Sequence, residues 1–431
     1  MNKTNSDNLA KELIDIASCT FLKKDEYENF LHWKTKRDGC PEYQAFLKRT
    51  KRTLYSNSLN LDPYFIVGLV ESDGSFFLGI EGSTNKIRPY FSAFLNTENK
   101  QDREVVTSIQ GFFGVGNVTD VAYKTATKEE RTGVKFEVNT VWECFNVICP
   151  FFEQFPLKGE KLISFLKWRE ALKILVNDAG LLKSNKFRNV TKAKLYHYAF
   201  NINPNSSTRK KELSEVLASV NQKDTACPEE ISIINSVMQR WMDEFLKSHL
   251  LPSSYISGLV CGDGCFTISM NSVLKSIQIS FSITTPDIKL LFAVRKTLGI
   301  GNVFTLPAPS DEKMSQRGLK KANDCYRYGV FSKEDFINVL IPFFKNSPVF
   351  GSKGEAFTKL SDVLLVLKSL ASPTGRVDYN STSFKKIEQE IKTINRKGRY
   401  RRVNAKKEEL LLLEASEEDL IVLDSVKSLD S

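Results

Sequence analysis

The chain has 431 residues, 41% of them hydrophobic, enough for two to three domains with sizeable cores. Its formal net charge is +10, and the last 24 residues hold eight acidic side chains and one lysine, so the preceding 407 carry +17, an excess that suits a polyanion. Three histidines and eight cysteines without a CxxC pair argue against histidine-based nuclease sites, HExxH metalloproteases and zinc-binding cysteine pairs, and no apolar run reaches membrane-spanning length.

The N-terminus, with Asp7, Glu12 and Asp15, resembles neither a signal nor a transit peptide, which implies a soluble protein in a reducing compartment or made inside an organelle. Residues 1–60 are polar and basic, ending in LKRTKRTLYSNSLN, with helical stretches expected at Ala10 to Ile16 and Glu26 to Lys34. They form either a solvated helical arm or an extra nucleic-acid contact. Asp62-Pro63, an N-cap followed by proline, opens an apolar helix that closes on Asp73-Gly74. The alternation of Ser75 to Glu81 predicts a strand with Phe76, Leu78 and Ile80 on one face. A turn over Gly82 to Lys86, a strand over Arg88 to Asn96 and a helix over Asp102 to Phe112 follow. FGVGNV then turns into a hairpin whose loop carries Lys124, Lys128 and Arg131, with Val134 to Val138 returning. Helical WECFNVICPFF and a long helix from Glu160 to Val176 complete the unit.

Asn201 to Lys247 reads as a surface connector with two modest helical patterns. Ser253-Ser254 then opens a second apolar helix closing on Asp263-Gly264, and the same order recurs. Cys265 to Asn271 alternates, Lys275 to Thr284 is the next strand, Pro286 to Leu298 a helix, and LGIGNV matches FGVGNV. A basic loop with Lys313, Arg317, Lys320 and Lys321 precedes the strand Tyr326 to Phe331, and INVLIPFF matches FNVICPFF. Neither glycine turn is a phosphate loop, because no strand precedes it and no Lys-Ser/Thr follows. The fold class is therefore α+β: two pseudo-symmetric αββαββα repeats, their antiparallel sheets forming a saddle joined at paired helices.

Those paired helices carry the chemistry. YFIVGLVESDGSFF (Tyr64 to Phe77) and YISGLVCGDGCFT (Tyr255 to Thr267) match, with Asp73 and Asp263 in the same place 190 positions apart. Gly68 and Gly258 have no side chain, so the helices can pack backbone to backbone and bring both aspartates to one place. Two like charges at the negative ends of two helix dipoles call for a divalent cation, and oxygen ligands suit Mg²⁺ or Mn²⁺. A lone Asp-Gly is an ordinary helix-ending turn; the duplicated block is not.

IVGLVESDG (Ile66 to Gly74) and ISGLVCGDG (Ile256 to Gly264) resemble the signature helices of a single-chain LAGLIDADG homing endonuclease. The resemblance implies that Asp73 and Asp263 bind the catalytic metal. Two positions earlier the family often has Asp; Glu71 and Cys261 stand there, and Cys261 departs from the common form. Lys161 and Lys353, each eleven positions after a matched proline, resemble the basic residues that the family places beside the scissile phosphate. The implied division is a helical extension (1–60), a first LAGLIDADG domain (61–200), the connector (201–250), a second such domain (251–402) and an acidic tail (403–431).

The saddle's polar face is expected to enter the major groove. Ser75, Phe77, Gly79, Glu81 and Arg88 would lie on it in one half, and Thr267, Ser269, Asn271 and Gln278 in the other. Lys86, Lys124, Arg131, Lys275, Lys320 and Lys321 are phosphate-contact candidates. Differing halves imply an asymmetric duplex target and a monomeric enzyme. An RNA-binding intron maturase on the same fold and a DNA-binding regulator on a dead nuclease remain open alternatives, and an intron-encoded origin points to the mitochondrion.

Overall fold

The computed structural model describes residues 3–18, 54–81, 86–96, 100–124, 130–177, 188–202, 227–271, 276–306 and 325–370, with isolated positions at 39, 41, 44, 45, 48 and 391. The helix expected at 26–34, the basic loops around Lys128 and Lys320 and the tail lie outside these residues. Two compact units form: Met1–Gly262 with Ser347–Glu355, and Asp263–Asn346 with Ala356–Ser431.

In the first unit α1 (Lys3–Ser18) is followed by the first signature helix, α2 (Pro63–Asp73). Asp62 caps it by accepting from the Tyr64 amide at 2.8 Å, and Pro63 occupies the first turn, where its missing N–H costs nothing. The chain passes directly into β1 (Gly74–Glu81), then β2 (Lys86–Asn96), α3 (Lys100–Phe113), β3 (Asn117–Lys124) and β4 (Glu130–Val138). The four strands form one antiparallel sheet in the order β1-β2-β4-β3. Phe76 and Leu78 on β1, Phe91, Ala93 and Leu95 on β2, and Val134, Phe136 and Val138 on β4 are buried on one face. Phe76 sits at the centre of that core, 5.2 Å from Phe91 and from Phe152 and 5.3 Å from Trp168 between ring centroids. Each such ring stabilises by about 1.5–3 kcal/mol through burial.

WECFNVICPFF is not one α-helix. A single turn at Val141–Glu143 runs into a π-helical turn, Cys144–Ile148, and then α4 (Cys149–Gln154). Pro150 explains the change, since it has no N–H for the carbonyl four residues back and its ring crowds that carbonyl. The chain widens before it, so the Cys149 amide reaches back five residues to the Cys144 carbonyl. FGVGNV is also a structural turn: the buried Glu143 accepts from the Gly116 amide at 3.3 Å, and Gln110 donates to the Gly116 carbonyl at 3.0 Å.

Next come α5 (Lys161–Asn177), α6 (Arg188–Ile202), α7 (Cys227–Ser248) and the second signature helix, α8 (Ser253–Asp263). The described part of the expected surface connector, residues 201–202 and 227–247, is not simply surface. Ile231, Ile234, Met238, Met242 and Phe245 bury one face of α7, at spacings of three and four. The reading of the N-terminal arm as solvated also gives way at α1. Its Leu13 and Ala17 are buried, it packs on α7, and Glu12 pairs with Arg169 of α5 at 2.6 Å.

In the second unit β5 (Gly264–Asn271), β6 (Ser276–Thr285), α9 (Ile288–Leu298), β7 (Asn302–Leu306) and β8 (Cys325–Val330) repeat the plan, with sheet order β5-β6-β8-β7. The π-helical turn recurs at Phe336–Leu340, ahead of Pro342 in α10 (Ile341–Asn346). The aromatic core recurs too: Phe266 stacks on Phe281 at 4.9 Å and meets Phe357 at 5.4 Å, with Phe344 5.7 Å from Phe281. The last described helix is α11 (Gly351–Leu370).

Candidate active site

α2 and α8 touch through their main chains in the first unit. A Cβ built on Gly68 would lie 1.9 Å from the Tyr255 carbonyl oxygen, and one on Gly258 would lie 1.9 Å from the Phe65 carbonyl oxygen. No side chain can occupy either place. A Cβ on Gly262 would meet the Ser72 hydroxyl at 1.9 Å and Asp73 Oδ2 at 3.0 Å, so the close approach continues to the helix ends. Ser254 Oγ donates to Asp62 Oδ1 at 2.8 Å, tying the two helix starts together.

Asp73 is the last residue of α2 and Asp263 the last of α8, and both are half-buried. At each helix end a lysine occupies the carbonyl oxygens. Lys161 Nζ donates to Ser72 O at 2.5 Å and Val70 O at 3.0 Å, and Lys353 Nζ donates to Gly262 O. Ser72 and Gly262 are the matched residues before the aspartates. Each ammonium thus offsets the negative pole of its signature helix beside a carboxylate, which eases the crowding of negative charge.

Glu71 anchors the first of these lysines. It is 8% exposed, and its carboxylate accepts the amides of Lys158 and Gly159 at 3.1 Å and of Lys161 at 3.3 Å, with the Tyr255 hydroxyl at 3.1 Å. Cys261 at the matched position donates its thiol to the Phe350 carbonyl at 3.5 Å, and burial pushes its pKa up to about 12, so it stays protonated. Sequence reasoning saw the Glu71/Cys261 mismatch but not the amide nest. Spacing alone did not reveal which amides the carboxylate would reach.

The donor set fits a hard divalent cation: each signature helix ends in a carboxylate, and carboxylate oxygens are the ligands such a cation takes. Among the described residues no group of three or more His, Cys, Asp or Glu side chains gathers into an all-protein metal cage. Mg²⁺ needs none, because it takes one or two carboxylates and fills its shell with water and phosphate oxygen.

The outer faces of the two sheets differ. On the first, Ser75 and Arg131 are exposed and Phe77 and Arg88 half-exposed. The Phe77 and Tyr90 rings stack 4.6 Å apart at 2° over Gly79, and Phe94 meets Tyr123 edge-on at 5.6 Å. Tyr90, Phe94, Tyr123 and Lys135 belong to this face by strand register; the sequence reading missed them because it followed β2 only as far as Arg88 and took Lys124 and Arg131, which lie on β3 and β4, as loop residues. On the second, Thr267, Ser269 and Gln278 are exposed, and Thr267 hydrogen-bonds Ser280 at 2.6 Å. Glu81 and Lys86 pair at the far end of β1 and β2, Lys124 closes β3 and Asn271 closes β5. Lys275, Lys320 and Lys321 lie outside the described residues.

A family model described as LAGLIDADG endonuclease matches residues 66–172 and 256–364. The chain belongs to the LAGLIDADG endonuclease family. "Probable intron-encoded endonuclease 2" of Neurospora crassa is 21% identical over 360 residues, covering 82% of this chain and 68% of the relative. "Probable intron-encoded DNA endonuclease 1" of Mycosarcoma maydis is 22% identical over 67% of this chain and 94% of its own. Among solved structures the LAGLIDADG homing endonuclease I-GzeII, in complex with its DNA target, superposes with a TM-score of 0.58 at 17% identity, over 77% of this chain and 98% of that one. Both matched segments open inside a signature helix and close beyond its lysine.

Proposed function

We propose that this LAGLIDADG protein is a site-specific double-stranded DNA endonuclease of the homing type, acting as a monomer on a long asymmetric target with Mg²⁺ or Mn²⁺. One observation carries the reading: an aspartate closes each signature helix, and a lysine head sits on the carbonyl of the residue before it. Asp73 and Asp263 would hold the cations. When bound, these supply Lewis acidity and a water acidic enough to attack phosphorus at neutral pH. Asp73 and Asp263 fix the position of each reacting phosphate through that charge, and Lys161 and Lys353 stabilise the negative charge growing on the phosphate oxygens. In hydrolysis one water adds across one phosphorus–oxygen bond, and its proton leaves with the departing oxygen. Intron-encoded relatives support an organellar setting, the mitochondrion first.

The test is selection from random duplexes, followed by cleavage assays with the selected target. Duplex is expected to be held in Ca²⁺, which takes the same oxygens with looser geometry, and cut on both strands when Mg²⁺ replaces it. Affinity should fall about 10³-fold between 50 and 200 mM salt if six phosphates are neutralised. Tight binding to folded intron RNA with no metal-triggered cleavage would replace the nuclease by a splicing cofactor.

The aromatic outer face gives a second expectation. Phe77 and Tyr90 suit apolar contact with the thymine methyl in the major groove. Deoxyuridine in place of thymine under this sheet should weaken binding by about 0.8 kcal/mol per contacted methyl, roughly fourfold. Phe77→Ala should remove that sensitivity, while the same replacement under Thr267 and Ser280, the matched pair of the second sheet, should leave binding unchanged.

A further inference from the structure

Lys353 is held without the carboxylate that anchors Lys161, because Cys261 stands where Glu71 stands. Another acid reaches the same helix start. Asp102 lies on α3 of the first repeat, 4% exposed, and its Oδ1 accepts the Ser352 amide at 2.7 Å, one residue before Lys353. Gly351, at φ +71°, makes room for it: a Cβ there would fall 2.6 Å from the same Oδ1. The left-handed φ and the missing Cβ both specify glycine.

We propose that Asp102 is the positioning residue for Lys353, a carboxylate lent by the first repeat that fixes the start of α11 as Glu71 fixes the start of α5. The line of contacts is continuous. Asp102 holds Ser352, the next residue is Lys353, and its ammonium holds the Gly262 carbonyl at the end of α8, beside Asp263. Burial raises the Asp102 carboxyl above its ordinary range, while hydrogen bonds from Ser352 and the nearby charge of Lys353 pull it back down. Losing an acid within one signature helix is thereby compensated from outside it.

This inference rests on the nuclease reading, and strand-resolved cleavage separates the two. A supercoiled plasmid carrying the selected target is cut by the full-length protein, and each labelled strand is followed. Lys353→Ala identifies the strand that Lys353 serves. Asp102→Ala is expected to slow that same strand about 10- to 100-fold, the usual effect of removing an outer partner of a site. The other strand should be cut at the parent rate, so nicked circles accumulate. Asp102→Asn, which keeps an oxygen acceptor for Ser352, should restore most of the rate. If Asp102→Ala is insoluble, Asp102→Leu fills the space without an acceptor and is assayed in its place. Equal slowing of both strands, or of neither, overturns the assignment. A parent protein that binds the duplex but cuts neither strand refutes the nuclease reading instead.

Discussion

Gly68→Ala is expected to destabilise the protein by about 3 kcal/mol or more, an exceptional loss for the addition of one methyl group. Intrinsic helix propensity acts in the opposite direction, favouring alanine by about 1 kcal/mol. The clash decides the sign, because the new Cβ would stand 1.9 Å from the Tyr255 carbonyl oxygen, and backbone, unlike a side chain, has no other rotamer to adopt. Gly258→Ala should behave alike against the Phe65 carbonyl. Gly299→Ala provides the contrast: nothing lies within 4 Å of its Cβ position, and only the φ of +69° opposes it, at about 1–2 kcal/mol. Denaturant titration of the three variants orders these costs. A Gly68→Ala protein as stable as its parent would show that the helices do not meet through their main chains.

Asp73→Asn and Asp263→Asn are each expected to lower cleavage of one strand at least about 10³-fold, some 4 kcal/mol of barrier, while duplex affinity in Ca²⁺-free buffer changes less than about threefold. Asparagine preserves shape and one oxygen but removes the charge that a hard cation requires. Binding draws mainly on phosphate and groove contacts, which the substitution leaves alone. Strand-resolved cleavage and a filter-binding titration on the same samples check both halves of the statement. Wild-type cutting by the double variant would remove both aspartates from the mechanism.

How much of this was legible beforehand follows from the range of each contact. The repeat, the alternation of Phe76 and Leu78, the helices closing on Asp73 and Asp263, and the matched lysines are local patterns with a period or fixed spacing. Boundaries were less legible: β4 begins at Glu130 rather than Val134 and β2 at Lys86 rather than Arg88, because polar residues in a hairpin keep pairing beyond the apolar stretch. The π-helical turns were hidden because the sequence through Cys144 looks helical whichever hydrogen-bond ladder it uses, and Pro150 changes the ladder from six residues away. Least visible were Glu71 on the amides of Lys158 to Lys161 and Asp102 on Ser352, separated by about ninety and by 250 positions. No sequence period reports such a meeting.

The glycine contact also bears on how a duplicated gene can drift. At Gly68 and Gly258 the join is made of carbonyl oxygens and amide nitrogens, which read no side-chain identity, so residues facing away from it can change without opening it. Glu71 against Cys261 and Ser72 against Gly262 show such drift one and two residues from the aspartates. The outer sheet faces differ at matched places too: Phe77 stacks on Tyr90 where Thr267 hydrogen-bonds Ser280. Each half can therefore alter what its outer face presents in small steps, each leaving the join intact.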